Sequence, residues 1–123
     1  MQSHPSQFVD GELKTIDNAL PEIETEVEHV VYLPTLCLKS QNPKAGSLLR
    51  IRYTAAAKLL ELFALDRYIQ AYIGHPTVRD MEYFVQVIAL ECGRALGQPV
   101  TVLAEIEFNQ VAQGQRIEAT YRP

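Results

Sequence analysis

Two segments in which apolar and polar residues alternate strictly come before a long helix-forming stretch, and two more follow it. The first pair begins at Ile23 and Leu49, and the second pair begins at Val100 and Ile117. A period of two places successive side chains on opposite faces, which is typical of a strand that is buried on one face only. The pattern therefore predicts two pairs of half-buried strands on either side of a helical region.

The region between the strand pairs predicts two helices. Residues 55–73 are rich in strong helix formers and carry apolar side chains at helical spacing, until Gly74 and Pro76 interrupt them. Thr77 then stands where an N-cap is expected, and Gly97 marks the end of a second helix. The expected buried stripe of this second helix consists of Val78, Met81, Val85, Ile88, Cys92 and Leu96.

The order strand, strand, helix, helix, strand, strand predicts an α+β fold in which two helices cover one face of a four-stranded antiparallel sheet. The other face would carry many Glu and Arg side chains, so it should meet water, a tunnel or another subunit. Open sheet edges favour pairing between copies, and we expect a homo-oligomer. Residues 21–123 are assigned to one domain, whereas the polar residues 1–20 are expected to form a flexible arm.

Composition excludes several classes of function. Hydrophobic residues make up 47% of the 123-residue chain and charged residues 21%, which is typical of a globular domain rather than a disordered chain. The net charge is −4 and the basic residues are scattered, which argues against direct nucleic acid binding. No segment reaches the roughly 18 apolar residues of a membrane span, and no signal peptide is recognised, so a cytoplasmic location with reduced thiols is expected.

Cys37, which is expected at the end of the first strand, is the strongest candidate for a reactive group. It precedes a turn-rich segment and could be a thiolate nucleophile, although small buried cysteines are more often inert filler. Lys39 and Lys44 follow it closely and could lower its pKa. The three histidines and two cysteines show no metal-ligand spacing, so no metal is expected.

Several local motifs resemble the 7-cyano-7-deazaguanine reductase family, the nitrile reductases of queuosine biosynthesis, a tRNA modification pathway. The resemblance runs from about Glu28 to Tyr121, roughly three quarters of the chain, and rests on the segments LPTLCLKSQNP, RIRY and ELFALDRY. It implies the tunnelling fold, whose members bind purines and pterins at subunit interfaces. It also implies that Cys37 forms a thioimide with the nitrile. Counted back without gaps from RAL at the end of the second helix, Glu82 stands where the family has the glutamate that anchors the base.

The chain also departs from the pattern of this family. The two lysines that would hold the phosphates of NADPH are Phe63 and Asp66 here, which argues against NADPH as the cofactor. The aspartate expected seven residues after the cysteine is Lys44, and the histidine expected before the anchoring glutamate is Met81. His75 lies nearby and is a candidate replacement for that histidine.

Three further residues are weaker candidates. Gln86 lies one helical turn after Glu82 and could add an amide contact to a base, while Glu61 belongs to the motif that implies cofactor binding. The third of these residues, His75, is a candidate for substrate binding. Each also has an ordinary structural explanation, as an exposed helix residue or a loop residue.

Three functions stay open at this stage. The first is an oxidoreductase-like enzyme that processes the nitrile of a 7-deazaguanine through Cys37. The second is a non-reductive relative, which forms an amidine or acts on another purine or pterin. The third is a catalytically silent oligomer that binds a base or serves as a scaffold.

Overall fold

A computed structural model describes all 123 residues of the chain. It is an α+β structure with two antiparallel sheets, one of four strands in the order β3-β4-β6-β7 and one of three strands in the order β1-β2-β5. The elements in chain order are β1 (Gln2–Pro5), β2 (Glu12–Asp17), β3 (Glu26–Tyr32), β4 (Leu48–Thr54), β5 (Lys58–Leu60), α1 (Leu62–Gln70), α2 (Met81–Leu96), β6 (Val100–Glu107) and β7 (Gly114–Tyr121).

The four-stranded sheet confirms the expected core of the fold. Its strands pair antiparallel throughout, and both helices lie in the chain between its two hairpins. Alternate residues of the central strands, such as Leu49, Ile51 and Val102, are fully buried. The apolar face of the sheet and the buried stripe of α2 belong to one continuous hydrophobic core.

The opposite face of the sheet carries the expected charge pairs. Arg50 lies between two carboxylates, 3.0 Å from Glu28 and 3.1 Å from Glu105, and Arg52 also contacts Glu28. These hydrogen bonds from Arg52 and Arg50 lower the pKa of Glu28 below its ordinary value. Cross-strand pairing of opposite charges therefore stabilises the exposed face of β3, β4 and β6.

The N-terminal residues differ from the expected unstructured arm. Residues 2–5 and 12–17 form a hairpin that pairs with β5, and Leu13 is buried in the core. The hairpin is also held at its turn, because the hydroxyl of Ser6 donates a 2.6 Å hydrogen bond to Glu91 on α2 and the N–H of Gln7 donates another to the same carboxylate at 3.0 Å. The strands are short and polar on one side, which is why alternation alone did not reveal them.

The first helix is shorter than its composition indicated. Residues 58–60 form β5 instead of helix, and α1 covers only nine residues. Leu65 and Ile69 face the core as expected, whereas Leu62 is 60% exposed. Pairing with β2 overrides the helix propensity of the segment before Glu61.

The second helix begins later than expected but keeps its buried stripe. Asp80 is the N-cap and accepts a hydrogen bond from the N–H of Tyr83 at 2.8 Å, so Thr77 does not cap the helix. Gly97 ends it in the left-handed conformation with φ of 68°, as its sequence position predicted. Gly93 allows α2 to pack against Tyr121 of β7, since a Cβ atom there would lie 2.1 Å from the tyrosine ring. Neither helix is long and apolar enough to cross a membrane.

Candidate functional site

An open cleft of about 820 Å3 lies between the loop after β3, the beginning of α2 and β7. The loop after β3 contributes Cys37, the loop before α2 contributes Arg79, and the first turn of α2 contributes Glu82. Gln115 of β7 closes the far side. The structure therefore brings Cys37 and Glu82, the two principal residues proposed from the sequence, into one cleft.

Cys37 lies in a tight loop rather than at a strand end, because β3 already ends at Tyr32. Its N–H donates to the carbonyl of Asn42 at 2.9 Å, and its own carbonyl accepts from the N–H of Gln41 at 2.9 Å. The expectation of a strand-end cysteine was wrong in this respect. Residues 37–42 instead form a turn whose backbone folds back toward the side chain of Cys37.

This turn stabilises the thiolate of Cys37. The hydroxyl of Ser40, the backbone N–H groups of Ser40 and Lys39, and the guanidinium of Arg79 lower the pKa of Cys37 from 9.0 to about 6. Side chains at the first position of a turn commonly accept hydrogen bonds from N–H groups two or three residues later. A thiolate is the nucleophilic form of cysteine, so the lowered pKa raises the fraction of Cys37 that can act as a nucleophile at neutral pH.

Glu82 lies in the first turn of α2, as expected, and its side chain is exposed to the cleft. The amide of Gln115 donates a 3.2 Å hydrogen bond to one of its carboxylate oxygens. The other oxygen has no protein donor. Glu82 can therefore accept hydrogen bonds from a ligand in the cleft while Gln115 holds its orientation.

His75 is fixed beside the cleft by hydrogen bonds to backbone groups. Its Nε2–H donates to the carbonyl of Phe8 at 2.6 Å, and its Nδ1 accepts from the N–H groups of Thr77 and Val78 at 3.1 and 2.9 Å. Both ring nitrogens are thus occupied by backbone groups. His75 lines a smaller cavity of about 220 Å3 next to Cys37, so it shapes the site without a free nitrogen for a substrate.

Gln86 and Glu61 lie outside this cleft. Gln86 is exposed on α2, one turn beyond Glu82, and does not line the cleft wall. Glu61 is the N-cap of α1, and its carboxylate accepts a hydrogen bond from the N–H of Ala64. Its position in the helix is explained by this cap alone.

Sequence reasoning missed three residues of the site. Ser40 and Arg79 both act on the Cys37 thiol, and Gln115 orients Glu82. Ser40 had a usable signal, since a serine three residues after a cysteine in a turn-forming segment lies within reach of the thiol. Lys39 and Lys44 are the cations that the sequence suggested for this role, but Lys39 acts on the pKa of Cys37 through its backbone N–H, and Lys44 does not line the cleft.

No protein-family model matches the chain, and no curated protein sequence matches it either. No group of three or more His, Cys, Asp and Glu side chains is placed to hold a metal ion. The residues at which the family resemblance would place NADPH-binding lysines, Phe63 and Asp66, are both exposed on α1. An apolar ring and a carboxylate do not fit the phosphates of that cofactor.

Proposed function

We propose that the cleft binds a guanine-like base and that the Cys37 thiolate adds to an electrophilic carbon of this ligand, with the nitrile of a 7-deazaguanine as the leading case. The observation that carries the proposal is that Cys37, with a pKa lowered to about 6, and Glu82 line the same cleft. One group supplies a nucleophile and the other a pair of acceptors. Such a reaction requires a nucleophile that attacks the ligand and a group that orients the ligand, and the two residues supply these functions.

The first step is an addition. The sulfur lone pair of Cys37 forms a C–S bond to the nitrile carbon, one π pair of the C≡N bond moves to nitrogen, and that nitrogen takes up a proton from water, which reaches the open cleft. The product is a covalent thioimide. Ser40 and Arg79 keep the thiol ionised before the attack, which removes the need for a separate base.

Glu82 would orient the ligand. A guanine-like base presents adjacent N–H donors on one edge, and the two carboxylate oxygens of Glu82 can accept both hydrogen bonds. Ligands without those donors would leave the carboxylate unpaired, which makes the contact selective. The hydrogen bond from Gln115 fixes the rotamer of Glu82 in the unbound cleft.

A non-reductive outcome fits the residues better than hydride transfer. The lysines associated with NADPH binding are replaced by Phe63 and Asp66. A nitrogen nucleophile could instead attack the thioimide carbon, expel the Cys37 thiolate and leave an amidine. We therefore place the protein among nitrile-processing enzymes of 7-deazaguanine metabolism, as a non-reductive relative of the nitrile reductases.

The test is the formation of the thioimide. On incubation with 7-cyano-7-deazaguanine, the protein should gain the intact mass of one ligand and the absorbance of a thioimide, and Cys37→Ala should gain neither. Cys92→Ala is the matched control, because Cys92 is fully buried and should leave the adduct unchanged. Addition of NADPH should produce little or no oxidation of the cofactor. Absence of the adduct in the parent protein would refute the nitrile chemistry, and binding without an adduct would favour a silent base-binding protein.

Assembly into a homo-oligomer is part of the same proposal. β3 and β7 are the two outer strands of the four-stranded sheet, and each leaves one row of backbone groups without a strand partner. Unpaired edges of similar length favour pairing between copies. Sedimentation equilibrium should give a mass that is a multiple of the 13.9 kDa chain, and a monomer at all concentrations would contradict this part of the proposal.

A further inference from the structure

The smaller cavity beside Cys37 is lined by two cationic side chains and by no carboxylate. Its volume is about 220 Å3, and Cys37, Lys39 and Arg79 line both this cavity and the larger cleft. The thiol therefore lies at the junction of the two spaces. Both cationic side chains are exposed, so they can reach a ligand that occupies either space.

Lys39 and Arg79 have no carboxylate partner. Neither makes an ion pair with any acidic side chain of the chain. Asp80 and Glu82 line the larger cleft, but neither lines the smaller cavity. Both acids are also engaged, Asp80 with the N–H of Tyr83 and Glu82 with the amide of Gln115.

We propose that the smaller cavity is an oxyanion subsite, in which Arg79 and Lys39 bind a carboxylate or phosphate group of the molecule that reacts with Cys37. Cations that make no ion pair with a carboxylate attract anions, and a guanidinium, which carries several N–H donors, binds carboxylates and phosphates through paired hydrogen bonds. A ligand with such a group, unlike the neutral 7-cyano-7-deazaguanine, would span the junction, with its base toward Glu82 and its anionic group toward Arg79. This inference rests on Cys37 as the reactive group of the proposed function, but it does not depend on a nitrile.

The inference can be tested without a known substrate, with two alkylating reagents that differ in charge. Iodoacetate carries a carboxylate and iodoacetamide is neutral, and both react with the same thiolate. The ratio of their rate constants at Cys37 is independent of the fraction of thiolate, because that fraction cancels. Cys92 is fully buried and should not react, which peptide mass analysis would verify.

The ratio of the iodoacetate rate to the iodoacetamide rate should exceed that of a free cysteine peptide by about fivefold at low ionic strength, and salt should reduce it. Arg79→Gln and Lys39→Gln should each lower the ratio toward the peptide value. Arg79→Lys, which keeps the charge, should retain most of it. Arg67→Gln is the matched control, since Arg67 is exposed on α1 and lines neither cavity.

Inorganic phosphate distinguishes the two classes of anion. If the subsite accepts phosphate, phosphate should slow iodoacetamide alkylation to a saturating extent at constant ionic strength, and Arg79→Gln should abolish this protection. A raised ratio without phosphate protection would assign the subsite to carboxylates. A ratio equal to that of the peptide and unchanged in Arg79→Gln would overturn the proposal. The thioimide experiment has its own readout, so failure of either proposal is recognised separately.

Discussion

The Cys37 thiol should ionise with a midpoint near its lowered pKa of about 6, against an ordinary value of 9.0. The ultraviolet absorbance of the thiolate measures this directly during a pH titration. Cys92 should not contribute to the transition, because burial in the core raises its pKa far above the neutral range. Cys37→Ala should therefore remove the whole absorbance change between acidic and neutral pH.

The lowered pKa of Cys37 determines how its alkylation rate depends on pH. At about pH 6 roughly half of the Cys37 population would be thiolate, whereas an ordinary thiol would be ionised in only about one molecule in a thousand. The gain in alkylation rate is smaller than this ratio, since the nucleophilicity of a thiolate falls with its pKa. The alkylation rate should rise as the pH passes through the midpoint and reach a plateau near neutrality.

Ser40 should account for a large part of the shift, because its hydroxyl is the strongest single influence on the pKa of Cys37. Ser40→Ala should move the midpoint upward, toward the ordinary value. Lys44→Ala is the matched control from the same loop, since Lys44 does not line the cleft. An unshifted midpoint in Ser40→Ala, or a parent midpoint close to the ordinary value, would contradict the role assigned to the turn.

The main sheet and the second helix could be predicted from the sequence, because both bury a regular face. The alternation around Ile51 and Val102 and the stripe that includes Val85 match the side chains that are buried in the core. A period of two or of 3.6 reflects burial directly. Such a period identifies an element well, but it identifies the ends of that element less well.

The smaller sheet could not be predicted in the same way. β1 and β2 are short and half-exposed, and β5 lies in a segment whose composition favours helix. What forms them is pairing between residues far apart in the chain, such as Thr15 with Leu60. Local propensity contains no information on such a partner.

In the candidate site, too, some residues could be predicted from the sequence and others could not. Cys37 and Glu82 could be proposed from their local motifs, and the fold brings both into one cleft. Arg79 and Gln115 could not be proposed, because only the tertiary structure places Arg79 beside the Cys37 thiol and Gln115 of β7 beside the Glu82 carboxylate of α2. Gln86 lies on the same helix as Glu82 but outside the cleft, because it is one helical turn further along α2.

Glu82 should dominate the affinity of the cleft for a guanine-like base. In a Cys37→Ala background, which prevents covalent addition, Glu82→Gln should weaken binding of 7-cyano-7-deazaguanine by at least about a hundredfold. The reason is that glutamine keeps the shape of the side chain but replaces one acceptor with a donor, so that it faces a donor of the base. Isothermal titration calorimetry measures the change in Kd, and circular dichroism would verify that the fold is retained.

Gln86→Ala on the same helix is the decisive comparison. Gln86 is exposed, one turn from Glu82 and outside the cleft, so its removal should leave Kd nearly unchanged. If the two variants bound the base equally well, Glu82 would not be the anchoring residue. If Gln86→Ala alone weakened binding, the base would lie on the outer surface of α2, too far along the helix to share the cleft with Cys37. Only the expected pattern, with a large loss in Glu82→Gln and none in Gln86→Ala, places the bound base where the thiolate can reach it.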